Sequence, residues 1–140
     1  MAVLPGGPFG DRVSRRLADE IAIWFITVGE DGTPQPNPVW FLWDGADQLT
    51  VYNRPNARRL SHIAARPNVA FNLDGDGVGG DVIVLTGTAA RDDSIPPAHE
   101  NDEYVVKYGA QMERVSGTLR DFARDYAVPV RVRIRRIRGH

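Results

Sequence analysis

Residues 35–43 read QPNPVWFLW, and the fold turns on how this stretch is placed. Val39, Phe41 and Trp43 alternate with Trp40 and Leu42, the period of an extended strand whose successive side chains point to opposite faces. Both faces are apolar. A sheet with one face in water does not read this way, whereas a barrel wall with something packed on each side does. Pro36 and Pro38 cannot donate to a ladder, so the first half of the strand belongs on an edge or at a bulge.

Working outward, residues 21–28 (IAIWFITV) form a β-branched and aromatic run, a first strand. It joins the decisive stretch through Glu30-Asp31-Gly32-Thr33, a hairpin turn in which Asp-Gly supplies positive φ. Upstream, Val13 and Leu17 at i, i+4 spacing predict a short surface helix over 11–20, and the Gly- and Pro-rich residues 1–10 read as a loose arm. Downstream, Asp44-Gly45 turns the chain into a third strand, Gln48 to Asn53. Asn56 is placed to cap a helix running to about Ala65, with Leu60, Ile63 and Ala64 as its buried stripe and Pro67 as its stop.

Val69 to Leu73 and Val82 to Ala90 are further strands, separated by a glycine-rich loop at 74–81. That loop lacks the Gly-Lys-Ser/Thr ending of a P-loop. Helices follow over Pro96 to Ser116, with Val105, Tyr108 and Met112 on one side, and over Thr118 to Tyr126. Val130, Val132 and Ile134 then alternate with Arg131, Arg133 and Arg135, a half-exposed closing strand. Strands in consecutive hairpins are not the βαβ alternation of a parallel sheet. The expectation is a mainly β protein: a single domain over 1–140, a six-stranded antiparallel β-barrel with short helices at its rims.

Composition narrows the function. The 140 residues contain no cysteine, which removes thiolate chemistry and Cys-ligated metals. His62, His99 and His140 lie far apart, so no metal pair is spaced for binding. The start carries no charged segment followed by an apolar run, and no stretch approaches the ~20 apolar residues of a membrane helix. A cytoplasmic protein without membrane partners is expected. The net charge of -1 also argues against nucleic acid, although Arg131, Arg133, Arg135, Arg136 and Arg138 crowd the last strand. Acidic residues elsewhere balance them, and no exposed aromatics alternate with them for stacking. Ser61 and His62 are neighbours that a helix aims in different directions, so hydrolytic chemistry has no support.

The informative segment is residues 52–63, YNRPNARRLSHI. A strand ends, a turn follows and a helix begins, with Arg54, Arg58 and Arg59 at the junction. Helix N-termini offer free N–H groups and the positive end of a dipole, and guanidinium groups make such a place fit for a phosphate. Ordinary solvated arginines would read the same way. Arg58 and Arg59 are adjacent and cannot both face one direction. Beside them, Asn37-Pro38-Val39-Trp40 offers a flat heterocycle a proline-broken edge, although Trp40 and Trp43 read equally as barrel core. Tyr104, Lys107 and Tyr108 read as helix packing with a snorkelling lysine, or as a cap over the site or a contact across a dimer.

Taken in order, DGTPQPNPVWFLWDG (31–45), YNRPNARRLSHIAARPNVAFNL (52–73), DGDGVGGDVIVLTGTA (74–89), YVVKYG (104–109) and YAVPVRVRIRRIRG (126–139) resemble the flavin and deazaflavin oxidoreductases of the split-barrel, pyridoxamine-phosphate-oxidase-like superfamily. The likeness runs from about Ala18 to Arg138 and is greatest to the actinobacterial F420-dependent branch. It implies an FMN-binding-like split β-barrel, a homodimer with cofactor grooves between barrels, and coenzyme F420 as cofactor, with FMN as the alternative. It implies that the backbone of Pro38, Val39 and Trp40 supports the ring system and that Tyr52 and Asn53 line the groove. Arg54, Arg58 and Arg59 would hold the phosphate, and His62 would add a hydrogen bond. The family usually has lysine where Arg59 stands and asparagine where His62 stands. The implied activity is hydride transfer between the deazaflavin and an unsaturated small molecule, with no side chain assigned as catalytic. A carrier that binds a cofactor or tetrapyrrole without turnover is the rival from another class.

Overall fold

The computed structural model describes residues 3–140. Helix α1 spans Gly7–Asp19 and buries Val13 and Leu17, the pair at i, i+4. It starts four residues before the predicted start, so Gly7–Gly10 belong to the helix and not to an arm. Pro8 near the helix start misleads a reader of composition, because a first-turn proline forfeits no intrahelical hydrogen bond. Val3, Leu4 and Phe9 pack on the core. Met1 and Ala2 of the expected arm lie outside the described residues.

Seven strands follow: β1 (Ala22–Val28), β2 (Pro34–Trp40), β3 (Leu42–Trp43), β4 (Gln48–Asn53), β5 (Asn68–Asn72), β6 (Ile83–Arg91) and β7 (Val128–Gly139). They form one antiparallel sheet in the order β2-β1-β5-β6-β7-β4-β3. The extra strand comes from residues 35–43, expected to be a single strand. The chain leaves β1 at Trp40 and joins β4 at Leu42, with Phe41 paired to neither. One extended segment therefore supplies both edges of the sheet. A sheet whose two edges are one residue apart must curl on itself, and that makes the barrel.

The predicted alternation holds across the break. Val39 and Phe41 sit in the barrel core with Trp43 packed against it. Trp40 and Leu42 pack outward on a second cluster built from Tyr52, Tyr104, Tyr108, Met112 and Phe122. That second cluster lies under α3 (Asp102–Ser116) and α4 (Leu119–Asp125), which a 3-10 turn at Ala98–Glu100 precedes. The proline pair near the start of the predicted long helix leaves only that turn. On α3 the enclosed residues are Tyr104, Tyr108 and Met112; Val105 is only half-buried.

Phe41 is free of the ladder, so its backbone groups need other partners, and α3 provides them. The Phe41 N–H donates to the Tyr108 hydroxyl at 2.9 Å, and the Lys107 amine donates to the Phe41 carbonyl at 3.0 Å. The single hydroxyl proton of Tyr108 goes to the Ile21 carbonyl at 2.7 Å. Lys107 lies over the Phe41 ring with Nζ 4.0 Å from its centroid. It is a packed, hydrogen-bonded lysine more than a snorkelling one. Burial pulls its amine down to about 8, against the opposing pull of Asp19 and Glu20.

Two outcomes follow from this seam. Tyr108→Phe strands the Phe41 N–H in the interior and should lower stability by about 2 kcal/mol in urea denaturation; an unchanged midpoint would detach the hydroxyl from barrel closure. Lys107 is the only lysine in the chain, so a dimethylated, isotope-labelled sample gives one side-chain amine resonance to titrate. Its midpoint should fall near 8. Between that value and the ordinary lysine range the unfolded state holds more protons than the folded one, so this group raises stability as pH rises through that window. A midpoint at the ordinary value would show the amine in water.

Candidate functional site

Strand β4 ends at Asn53 and the chain turns through Arg54–Ala57, where the Ala57 N–H donates to the Arg54 carbonyl at 3.1 Å. Asn56 lies inside this turn, so it does not cap the helix that follows. Helix α2 (Arg58–Ala65) has Ala57 at its N-cap, with no side-chain acceptor and no carboxylate in its first turn. Only Ile63 of the expected stripe is fully buried; Leu60 is half-buried and Ala64 is exposed, because the helix touches the barrel by one edge. The start of α2 is therefore left electropositive, with guanidinium groups added to it.

Gln35 and Asn37 of β2 face Ala57, Arg58, Arg59 and His62 across a recess of about 380 Å³. Asn53 stands behind it, 0% exposed. Its amide nitrogen donates to the carbonyls of Val51 at 2.9 Å and Val128 at 3.0 Å, which leaves Oδ1 to accept from Arg59 Nε at 2.5 Å. Asn53 thus aims the Arg59 fork and does not line the groove itself. His62 is oriented in the same manner: its Nδ1 lies 2.9 Å from the Oγ1 of buried Thr27. Its Nε2 has no partner among the described residues.

The charges here lack counter-ions. Arg12, Arg16, Arg91, Arg124, Arg131 and Arg133 all lie within ion-pair distance of a carboxylate. Among the described residues no carboxylate pairs with Arg54, Arg58 or Arg59. Arg59 is partly buried, and burial lowers its pKa while the nearby Tyr126 opposes the shift. A guanidinium nonetheless stays protonated, so a partly desolvated charge is held without its opposite. An anion entering the recess would supply it.

Arg59 also borders a second space, an aromatic cleft of about 220 Å³. Pro38, Val39 and Trp40 of β2 and Tyr52 of β4 form one wall. Tyr104 and Val115 of α3, Phe122 of α4 and Tyr126 form the other. The Val39 side chain points into the barrel, so only its backbone serves the cleft. Strand β2 is an outer strand of the sheet, the place where its prolines are tolerated. Tyr108, Trp40, Phe122 and Tyr126 stack in sequence, with centroids 5.0, 5.4 and 4.5 Å apart. Arg54 continues the column, its guanidinium 4.6 Å from the Tyr126 ring centroid. It flanks the cleft and does not line the recess.

The predicted site residues therefore divide. Arg58, Arg59 and His62 share the recess; Pro38, Val39, Trp40, Tyr52 and Arg59 share the cleft; Asn53 lies behind both and Arg54 stands beside them. Tyr104, read from the sequence as helix packing or as a cap over the site, lines the cleft; Phe122 and Tyr126 went unassigned by sequence reasoning, although aromatic residues at helical spacing (104 with 108, 122 with 126) were a signal for an aromatic wall. Among the described residues no group of histidine and carboxylate side chains is placed to hold a metal, and no helix is long and apolar enough to cross a membrane. On β7, Arg131 pairs with Asp92 and Arg133 approaches Asp47, so part of the arginine ladder is neutralised locally.

The chain matches the pyridoxamine 5′-phosphate oxidase family over residues 9–137. No curated protein matches it. Among solved structures it is similar to an F420 reductase, with 26% identity and a TM-score of 0.67 over 91% of this chain and 96% of that one. It shares its fold with a Listeria innocua protein assigned to the pyridoxamine 5′-phosphate oxidases, at 17% identity and TM-score 0.63 over 91% and 94% of the two chains. It shares it also with HutZ, the haem storage protein of Vibrio cholerae, at 12% identity and TM-score 0.63 over 92% of each. With nearly its whole length matched, the chain belongs to the pyridoxamine 5′-phosphate oxidase family.

Proposed function

We propose that the protein is an F420-dependent oxidoreductase that holds the deazaflavin by its phosphate. The observation that carries this reading is the pair Arg58 and Arg59 at an uncapped helix start, without a counter-ion and bordering an aromatic cleft. Phosphate bound in the recess would meet the forks of Arg58 and Arg59, with His62 Nε2 as a further polar contact. The ring system would then lie along the backbone of Pro38, Val39 and Trp40 at the mouth of the cleft, which leaves the cleft interior to the acceptor. When bound, the reduced deazaflavin supplies a hydride to an unsaturated acceptor. The protein's own part is to place the phosphate through Asn53 and Arg59, to exclude water with the aromatic walls, and to fix the acceptor's orientation. The likeness to an F420 reductase favours this cofactor over FMN, which carries a phosphate too.

The reading includes a homodimer. The cleft alone is smaller than the ~300–1,000 Å³ of a usual ligand pocket, so a second copy would complete its walls. Ile21 and Trp24 stand 41% and 37% exposed beside β1 and offer apolar surface for that contact. Cytoplasmic placement and a small-molecule acceptor belong to the same proposal.

Titration of the purified protein with F420, FMN and haem, followed by calorimetry, tests the assignment. F420 should bind, and reduced F420 should be oxidised in the presence of conjugated ketones or quinones. Tight FMN binding without a response to F420 would overturn the cofactor, and haem binding without turnover would favour a carrier. Arg59→Ala should weaken cofactor affinity ten- to a hundredfold, roughly 1.5–3 kcal/mol for a charged hydrogen bond. An unchanged dissociation constant would remove Arg59 from the phosphate site. Sedimentation velocity should give a dimer at micromolar protein; a monomer would leave the cleft open as it stands.

A further inference from the structure

The chain has four tyrosines, and three have hydroxyls that are accounted for. Tyr52 donates to the Pro96 carbonyl at 2.6 Å and accepts from Asn101 Nδ2 at 3.1 Å. Tyr108 closes the barrel seam. Tyr126 is half-exposed and can be hydrated. Tyr104 differs from all of them. It is 1% exposed, and its ring is packed against Tyr52, Tyr108 and Phe122. Its hydroxyl makes no hydrogen bond with any described residue. The residue lines the aromatic cleft, so the little surface it shows belongs to the cleft wall.

The Tyr104 hydroxyl oxygen is not fully enclosed: it opens onto the cleft, where no described residue bonds to it. Phenylalanine would fill the same volume but would offer the cleft no donor. The geometry points to Tyr104 as the hydrogen-bond donor to the acceptor molecule: the cleft takes a flat, uncharged ligand that presents a carbonyl-type oxygen to this hydroxyl. The walls fit that class. Trp40, Phe122 and Tyr126, stacked on one another, line the cleft with apolar ring edges, and among the cleft residues Arg59 alone is charged, its Nε already tied to Asn53. Burial, with Tyr108, Tyr52 and Tyr126 nearby, raises the Tyr104 pKa well above the usual phenol range, so the hydroxyl keeps its proton and acts as a donor. A donor aimed where negative charge gathers on a carbonyl oxygen during hydride addition would stabilise that charge. This inference rests on reading the cleft as the substrate side of the oxidoreductase, yet its test needs no cofactor.

The probe is 1,4-naphthoquinone, with naphthalene as the same two rings without oxygen. The chain has no cysteine, so no thiol consumes the quinone. Binding to the cofactor-free protein is followed by tryptophan fluorescence, since Trp40 lines the cleft. Wild type should favour the quinone by about three- to tenfold, the scale of one neutral hydrogen bond. Tyr104→Phe should erase that preference, leave naphthalene binding unchanged, and melt no lower than wild type. A variant that discriminates as well as wild type would overturn the proposal. So would a lower melting temperature, because it would show that the hydroxyl already has a partner inside the protein. If F420 fails to bind while the quinone preference depends on Tyr104, the cofactor assignment falls and the cleft assignment stands.

Discussion

The backbone of one residue, Phe41, governs the architecture. It lies between two strands at opposite edges of the sheet, so neither ladder can satisfy it. A buried amide and carbonyl without partners would oppose closure of the barrel. Helix α3 supplies both partners from adjacent positions, Lys107 and Tyr108. The helix is therefore part of the closure and not an ornament at its rim. Because α3 is fixed at Phe41, its next turn toward the N-terminus, bearing Tyr104, is held against the outward face of Trp40 and Tyr52. The same contact that seals the barrel builds one wall of the cleft.

Electrostatics adds a second feature to the site. Several arginines of the chain settle their charge locally: Arg16 reaches Glu20 and Asp81, and Arg131 reaches Asp92 and the side chain of Gln48. Asp92 is pulled down to about 2, chiefly by the hydroxyl of Ser94 and then by Arg131, as expected of a carboxylate with its partners in place. At the start of α2 the pattern reverses. Arg59 is tied to a neutral amide oxygen, which directs the fork without neutralising it. That arrangement leaves the guanidinium charge uncompensated.

Much of this was legible in the sequence, for identifiable reasons. The alternation through residues 39–43 assigned side chains to two faces correctly because a period of two survives a break in pairing. The break itself was invisible, since nothing in VWFLW marks a residue that leaves one ladder for another. The arginine junction was visible because charge at a strand-to-helix boundary is a local pattern. Its division of labour was not: Asn53 turned from a groove residue into a support, and Arg54 moved onto Tyr126, through contacts set by tertiary packing. Asn56 looked like a cap, but the Arg54–Ala57 turn takes it up first. The far wall of the cleft comes from residues 104–126, distant in sequence and brought close only by closure.

Tyr104 and Tyr108 make the separation of structure from function concrete. They sit one helical turn apart, in contact, with ring centroids 4.7 Å apart. Both are enclosed, and both have their hydroxyl protons held tightly by burial. A sequence reader has no ground for treating them differently. Tyr108 meets backbone groups that closure leaves unpaired, so its polarity is consumed by the fold. Tyr104 meets only aromatic faces and the cleft, so nothing in the fold consumes its polarity. Two identical side chains in one aromatic cluster thus acquire opposite roles from where their last atom ends, and that position is set by Phe41.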